Sequence, residues 1–204
     1  PKNGKLPWDQ KKRRQYFAKD YRRGFKRTDH PELRGVGERC IVGFGSSAGP
    51  PMMNVLYNNN YQIVQSPGYV MIMAEMIHDS RIIRLEGSHL PELIDPWMGD
   101  SIGRWEGDTL VVETRNFNYQ HIHRAALRHY FAISKDAKVT ELFKRISDTE
   151  IMYRFSVDDP DLYKSSWQGE MPLRLQKDRI YEYACHEGNY AMANILAGAR
   201  EKEK

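Results

Sequence analysis

The stretch Trp97-Met98-Gly99-Asp100-Ser101-Ile102-Gly103-Arg104-Trp105-Glu106-Gly107-Asp108-Thr109-Leu110-Val111-Val112-Glu113-Thr114 decides the fold class. It begins as a glycine-rich connection carrying two tryptophans and ends in a strand. The β-branched pair Val111 and Val112, set between Thr109 and Thr114, favours a pleated backbone. Gly107 supplies the positive φ that a tight turn demands, and Asp108 can bond its own backbone. Residues 104–106 and 109–115 therefore read as two strands joined across Gly107-Asp108.

Outward from this hairpin the pattern repeats. Residues 61–66 and 69–77 are apolar, strand-like runs split by Ser66-Pro67-Gly68, a hairpin signal. His78-Asp79-Ser80 is the next turn and leads to a strand at 81–85. Segments 139–146 and 150–157 form another hairpin around Ser147-Asp148-Thr149. In its second strand Ile151, Tyr153, Phe155 and Val157 share one face, so that face is buried. Segments 162–175 and 179–185 bring the total to roughly eight to ten strands. Between 29 and 60, glycines and Pro50-Pro51 predict an irregular wrap with at most a short strand at 40–44. The run Asn58-Asn59-Asn60 is either a turn or a polar pocket wall.

Helices are expected only at the two ends. Residues 9–28 have Asp9 as cap, with Tyr16, Phe17, Tyr21 and Phe25 at helical spacings. A final helix begins near Asn189 as cap, with Met192, Ile195 and Leu196 on one face. The expected architecture is mostly β: an antiparallel up-and-down β-barrel or strongly curved sheet, lipocalin-like, over residues 35–204, preceded by a basic helical arm over 1–34. Barrels of about eight strands hold one small ligand or are plugged by side chains.

A chain of 204 residues with 40% hydrophobic content closes one sizeable core and is unlike a disordered protein. No apolar run approaches the roughly 18 residues of a membrane span. The net charge of +4 is uneven: residues 1–30 hold 11 Lys/Arg against 3 Asp, and the rest holds 20 basic and 24 acidic residues. A basic arm can bind nucleic acid or an anionic membrane. Its few apolar residues (Trp8, Tyr16, Phe17, Tyr21, Phe25) fit a docking face better, and no nucleic-acid partner is expected. The two cysteines, Cys40 and Cys185, are either buried free thiols or a disulfide that would imply an oxidising compartment. The chain opens Pro-Lys-Asn-Gly, without an apolar signal-peptide core.

Several motifs invite chemistry and lose it in context. Gly99-Asp100-Ser101-Ile102-Gly103 spells a nucleophile elbow, but that motif works on a strand-to-helix turn and this one heads into a hairpin. Glu75-x-x-His78 would present both ligands on one face only in a helix, and here it ends a strand. His121 and His123 share a face if 119–124 is a strand, yet a loop or short helix fits better there and a third ligand must come from afar. No metal and no cofactor are expected.

His186-Glu187 is the strongest candidate for acid–base work. Histidine titrates near neutral pH and a carboxylate can orient it. The alternative is a histidine that fixes the C-terminal helix by hydrogen bonding. His78 could face it from the same rim, with Asp100 and Arg81 supplying further charge. Trp97, Trp105, Tyr61 and Tyr69, with Asn60, would form an aromatic and polar wall, although tryptophans also serve simple core packing.

The strings Tyr-Asn-Asn-Asn-Tyr-Gln-Ile (57–63), Glu-Met-Ile-His-Asp (75–79), residues 97–114 as quoted, and Tyr-Glu-Tyr-Ala-Cys-His-Glu-Gly-Asn-Tyr (181–190) resemble a family of bacterial proteins, largely uncharacterised and often preceded by export signals. The resemblance covers most of residues 35–200. It implies no activity. It implies a periplasmic or secreted location and a pairing of Cys40 with Cys185.

Two function classes follow. The first is an exported lyase, isomerase or hydratase acting on a small organic molecule, with His186 as general acid or base, oriented by Glu187 or Asp100, and His78 as partner. The second is a lipocalin-like protein that only binds its ligand. A third makes the chain a subunit of a larger assembly, docked through the basic arm. The oligomeric state is left open. His78, Asp100 and His186 gathered at one cavity would favour catalysis; an apolar cavity with those residues scattered would favour binding alone.

Overall fold

Strands β4 (Asp100–Glu106) and β5 (Thr109–Arg115) form the central hairpin, registered Glu106 to Thr109 across Gly107-Asp108. Gly107 has φ +62°, the left-handed value the turn requires. The computed structural model describes residues 4–20, 22–127 and 129–204.

Around this hairpin runs one curled, half-barrel sheet of eight strands. Its other members are β1 (Tyr61–Ser66), β2 (Tyr69–Ala74), β3 (Ser80–Arg84), β8 (Lys138–Ser147), β9 (Glu150–Asp158) and β10 (Trp167–Arg174). The order is β1-β2-β3-β4-β5-β8-β9-β10, and β1 and β10 are its edges. Every pairing is antiparallel except β3 with β4, which run parallel through Ile83–Ser101 and Arg84–Ile102. Parallel neighbours need a crossover. Residues 85–99 carry the chain back to make it.

Tyr119–His121 form the short helical turn expected within 119–124, and two short strands, β6 (His123–Ala126) and β7 (His129–Ala132), follow it as a separate hairpin that was not expected. The expected strands at 40–44 and 179–185 do not form. Residues 176–182 donate no backbone hydrogen bond to another main-chain group among the described residues. Cys40 takes φ +54°, which breaks any strand there.

The N-terminal helix α1 spans Gln10–Ala18 and stops well short of residue 28. Asp9 caps it by accepting from the Lys11 and Lys12 N–H groups at 3.0 Å each. Beyond it, the Asp20 carboxylate captures the Arg22 N–H and guanidinium, and Gly24 turns at φ +92°. Four cations in its first turns oppose the helix dipole as well. Tyr21 lies outside the described residues. Trp8 stacks on Tyr163 at 4.5 Å, Phe17 stacks on His123, and the Tyr16 hydroxyl accepts from Lys135 N–H, so the arm docks. The C-terminal helix α2 (Ala191–Lys202) starts after Tyr190; Asn189 does not cap it but donates to Cys40 Sγ at 3.4 Å.

Alternation along the strands sends Val70, Ile72, Arg81, Ile83, Val112, Val139, Glu141, Tyr153 and Phe155 to the concave face, where all are buried. The wrap crosses part of that face: Met52 N–H donates to Tyr153 Oη at 2.8 Å, and Tyr61 Oη donates to the Ser47 carbonyl at 2.6 Å. Together with Phe117, Phe131 and Ile133 it fills one end of the half-barrel. The other end stays open.

Candidate functional site

The open end is a trough of about 1280 Å³. Its apolar surface comes from Ile63 and Ile72 on one side, Leu110 and Phe143 at the base, and Met171 and Leu173 on the other. All six are concave-face positions; Ile72, Leu110 and Phe143 are buried at the floor, and Ile63, Met171 and Leu173 are partly exposed. Beside them on the same concave face lies a buried polar network. Arg81 reaches across the sheet to Glu141, and the Tyr153 hydroxyl donates to Glu141 Oε1 at 2.7 Å. Burial alone would push the Arg81 pKa down, but the facing Glu141 raises it, so the cation is kept. The Tyr61 phenol is pushed above its usual range by burial.

At the mouth, charges come in opposite pairs. Arg145 meets Asp148 at 3.2 Å, Arg174 lies 3.8 Å from Glu150, and Asp108 meets Lys144, which lies outside the lining, at 3.2 Å. The rest of the polar lining comprises the amides Asn54, Asn59, Asn60, Gln62, Gln65 and Gln176, the hydroxyl-bearing Tyr61, Ser147 and Thr149, and the charged Asp178 and Arg179. Asn59 and Asn60 of the asparagine run line the trough, and Asn58 before them takes a left-handed φ of +53° without forming a turn. After β10 the strap of residues 175–180 borders the opening. The strap is tied down by the Tyr183 N–H, which donates to His78 Nε2 at 2.9 Å, and by the Cys40–Cys185 disulfide.

The sequence candidates divide around this site. Asn60, Tyr61 and Trp105 line the trough. Tyr69 is half-exposed on the opposite, convex face, as its register opposite Ser66 and Arg84 demands. Trp97 is half-buried in the loop before β4, where its carbonyl accepts from His121 Nδ1 at 3.1 Å.

Asp100 is clamped outside the trough. Arg84 donates to it at 2.8 and 3.0 Å, His89 Nδ1 lies at 2.8 Å, and the Leu90 N–H donates at 2.9 Å. Burial raises its pKa, but these partners outweigh that and hold it below the usual carboxylate range. His89, which the sequence did not single out, bridges Asp100 and Glu113 and pins the crossover loop. No local motif announces it, because the contact depends on where that loop returns.

His186 and Glu187 are exposed, with no side-chain partner among the described residues. They line neither the trough nor the smaller cavity of about 480 Å³ beside the disulfide. His78 is an acceptor for the strap, and Glu75 instead receives the Asn60 side-chain N–H at 2.8 Å. The would-be elbow enters strand β4, and Ser101 Oγ pairs with Thr114 Oγ1 at 2.8 Å. His121 is buried, with its pKa driven well down by burial, while His123 stacks on Phe17. No cluster of three metal-ligating side chains occurs among the described residues.

No protein-family model, curated protein or solved structure matches this chain. Its function is therefore read from its own geometry.

Proposed function

We propose that this protein is a non-catalytic binder of an elongated, neutral, lipophilic small molecule held in the trough. One observation carries the reading: the large cavity is apolar at its base, while His78, Asp100 and His186 lie outside it. An acid–base enzyme needs its titrating groups within hydrogen-bond reach of the substrate. Ligand pockets, in contrast, pair an apolar wall with orienting polar groups; the apolar base of this trough under a rim of amides and charged side chains fits that plan.

Neutrality of the ligand follows from the mouth. The lining sets four carboxylates (Asp108, Asp148, Glu150, Asp178) against three arginines (Arg145, Arg174, Arg179), so an anionic head gains no net attraction, whereas amides suit a hydroxyl or ester. An exported location is part of the proposal. The disulfide belongs in an oxidising compartment, and the resemblance to an exported bacterial family agrees with it. No helix among the described residues is long and apolar enough to cross a membrane.

Trp105 lines the trough and serves as the reporter. Titration with N-phenylnaphthylamine should alter its fluorescence. A long-chain alcohol should then displace the probe better than the fatty acid of equal length. Leu173→Arg, which places a charge on the apolar wall, should abolish uptake. Absence of probe uptake by folded protein would reject the proposal.

A further inference from the structure

We infer that the turn after α1 is a docking surface for an anionic lipid bilayer. Arg22-Arg23-Gly24-Phe25-Lys26-Arg27 packs four cations around one large apolar residue. Gly24, at φ +92° with open space where a Cβ would stand, turns the backbone and leaves Phe25 63% exposed. Arg23, Lys26 and Arg27 are exposed beside it. The arm's acids are already engaged locally: Asp9 caps α1, Asp20 holds Arg22, and Asp29 accepts from the Lys26 N–H at 2.8 Å. Arg27 also lies 3.7 Å from Glu38, so Arg23 and Lys26 are the cations of the turn that face no carboxylate among the described residues.

A second apolar contribution stands next to the arm. Phe17 stacks on His123 of β6, and Arg13 and Arg22 lie within electrostatic reach of Tyr130 on β7. That hairpin exposes Leu127 at 58% and Tyr130 at 47%. Exposed aromatic and aliphatic side chains among cations match an interface in which the apolar groups enter the acyl boundary and the cations meet headgroups. An aliphatic Leu127 offers nothing to stack on a base, which favours lipid over nucleic acid. Charge also sets the orientation. Residues 31–204 hold 20 basic and 24 acidic side chains, so an anionic surface attracts the arm and repels the body. The inference is independent of the trough, because vesicle binding and ligand uptake are measured separately.

The test is sedimentation of the full chain with phosphatidylcholine vesicles that contain or lack phosphatidylglycerol, at low and physiological salt. Binding is expected only to the anionic vesicles and should weaken as salt rises. Phe25→Ser should reduce partitioning about tenfold. The double change Arg23→Glu with Lys26→Glu should reduce it at least about thirtyfold, from about 1 kcal/mol per cation near the surface. All three positions are exposed, so melting temperatures should match the parent and a loss of binding is not a loss of fold. No phosphatidylglycerol-dependent binding at low salt would overturn the inference. So would binding that is insensitive to Phe25→Ser and equally tight on duplex DNA, since that describes a simple polyelectrolyte.

Discussion

Arg81 on β3 and Glu141 on β8 meet across the concave face in a two-pronged ion pair, with side chains 2% and 0% exposed. Tyr153 binds the same carboxylate and also accepts the Met52 N–H, so the pair ties the sheet to the wrap. Removing one partner leaves a buried charge without compensation. Arg81→Met should therefore cost about 3–5 kcal/mol in urea unfolding. Arg81→Met with Glu141→Leu should recover much of that loss, because no lone charge is left inside. A double variant no more stable than the single one would show that the network's hydrogen bonds, not its charges, hold the floor.

Asp79 is buried, and its pKa is pushed up from 3.8 to about 6 by burial, despite the Gly43 N–H it accepts at 2.6 Å. The folded state thus binds this proton more tightly than the unfolded chain does. The resulting stabilisation is complete below pH ~4 and is lost as pH rises through ~6. Asp79→Asn removes the titration while keeping an oxygen for Gly43. The variant should equal the parent near pH 4 and exceed it near pH 8 by on the order of 3 kcal/mol at most. Parallel unfolding curves across that range, with a constant difference, would refute the assignment.

The Cys40–Cys185 bond joins residues 145 apart in sequence. In the chain-entropy account a loop of that length stabilises by about 5 kcal/mol. Cys185→Ser should lower the unfolding midpoint accordingly. It should also free the strap, so that limited proteolysis cuts within residues 176–184 first. Protection of that segment in the variant would mean that the His78–Tyr183 hydrogen bond suffices to hold it.

His186 provides the sharpest check on catalysis. Its side chain is exposed and unpartnered among the described residues, so His186→Gln should change stability by no more than about 0.5 kcal/mol. Probe uptake by the trough should also be unchanged. A variant with normal stability but altered handling of a trough ligand would bring the histidine back into the function.

Leu173→Trp tests the trough from the opposite direction. The indole would occupy space that the apolar wall encloses, so ligand uptake should fall at least tenfold while the fold persists. Isothermal titration with the displacing long-chain alcohol measures this directly.

Much of the sheet is legible locally. The strand at Thr109–Arg115 follows from β-branched residues and a glycine turn, and Glu150–Asp158 from strict alternation. Such signals lie within a few residues of one another, and local backbone preference decides them. The stretch 179–185 looks equally strand-like but bonds to no sheet edge, because His78 and Cys40 hold it as a strap. Helix α1 ends early for a similar reason: Asp20 and Gly24 redirect the chain against a continuing helical pattern.

By itself, the sequence determined most strands of the main sheet, the basic character of the arm and the glycine-dependent turns, all of which depend on near neighbours. Only the tertiary structure decided that β4 lies parallel to β3, that Arg81 faces Glu141 from 60 residues away, and that Asp100 belongs to a loop clamp. It also decided where the trough lies. Alternation shows which side chains face inward; which of them stay uncovered depends on the path of the wrap, and that path is set by long-range bonds such as Met52 to Tyr153.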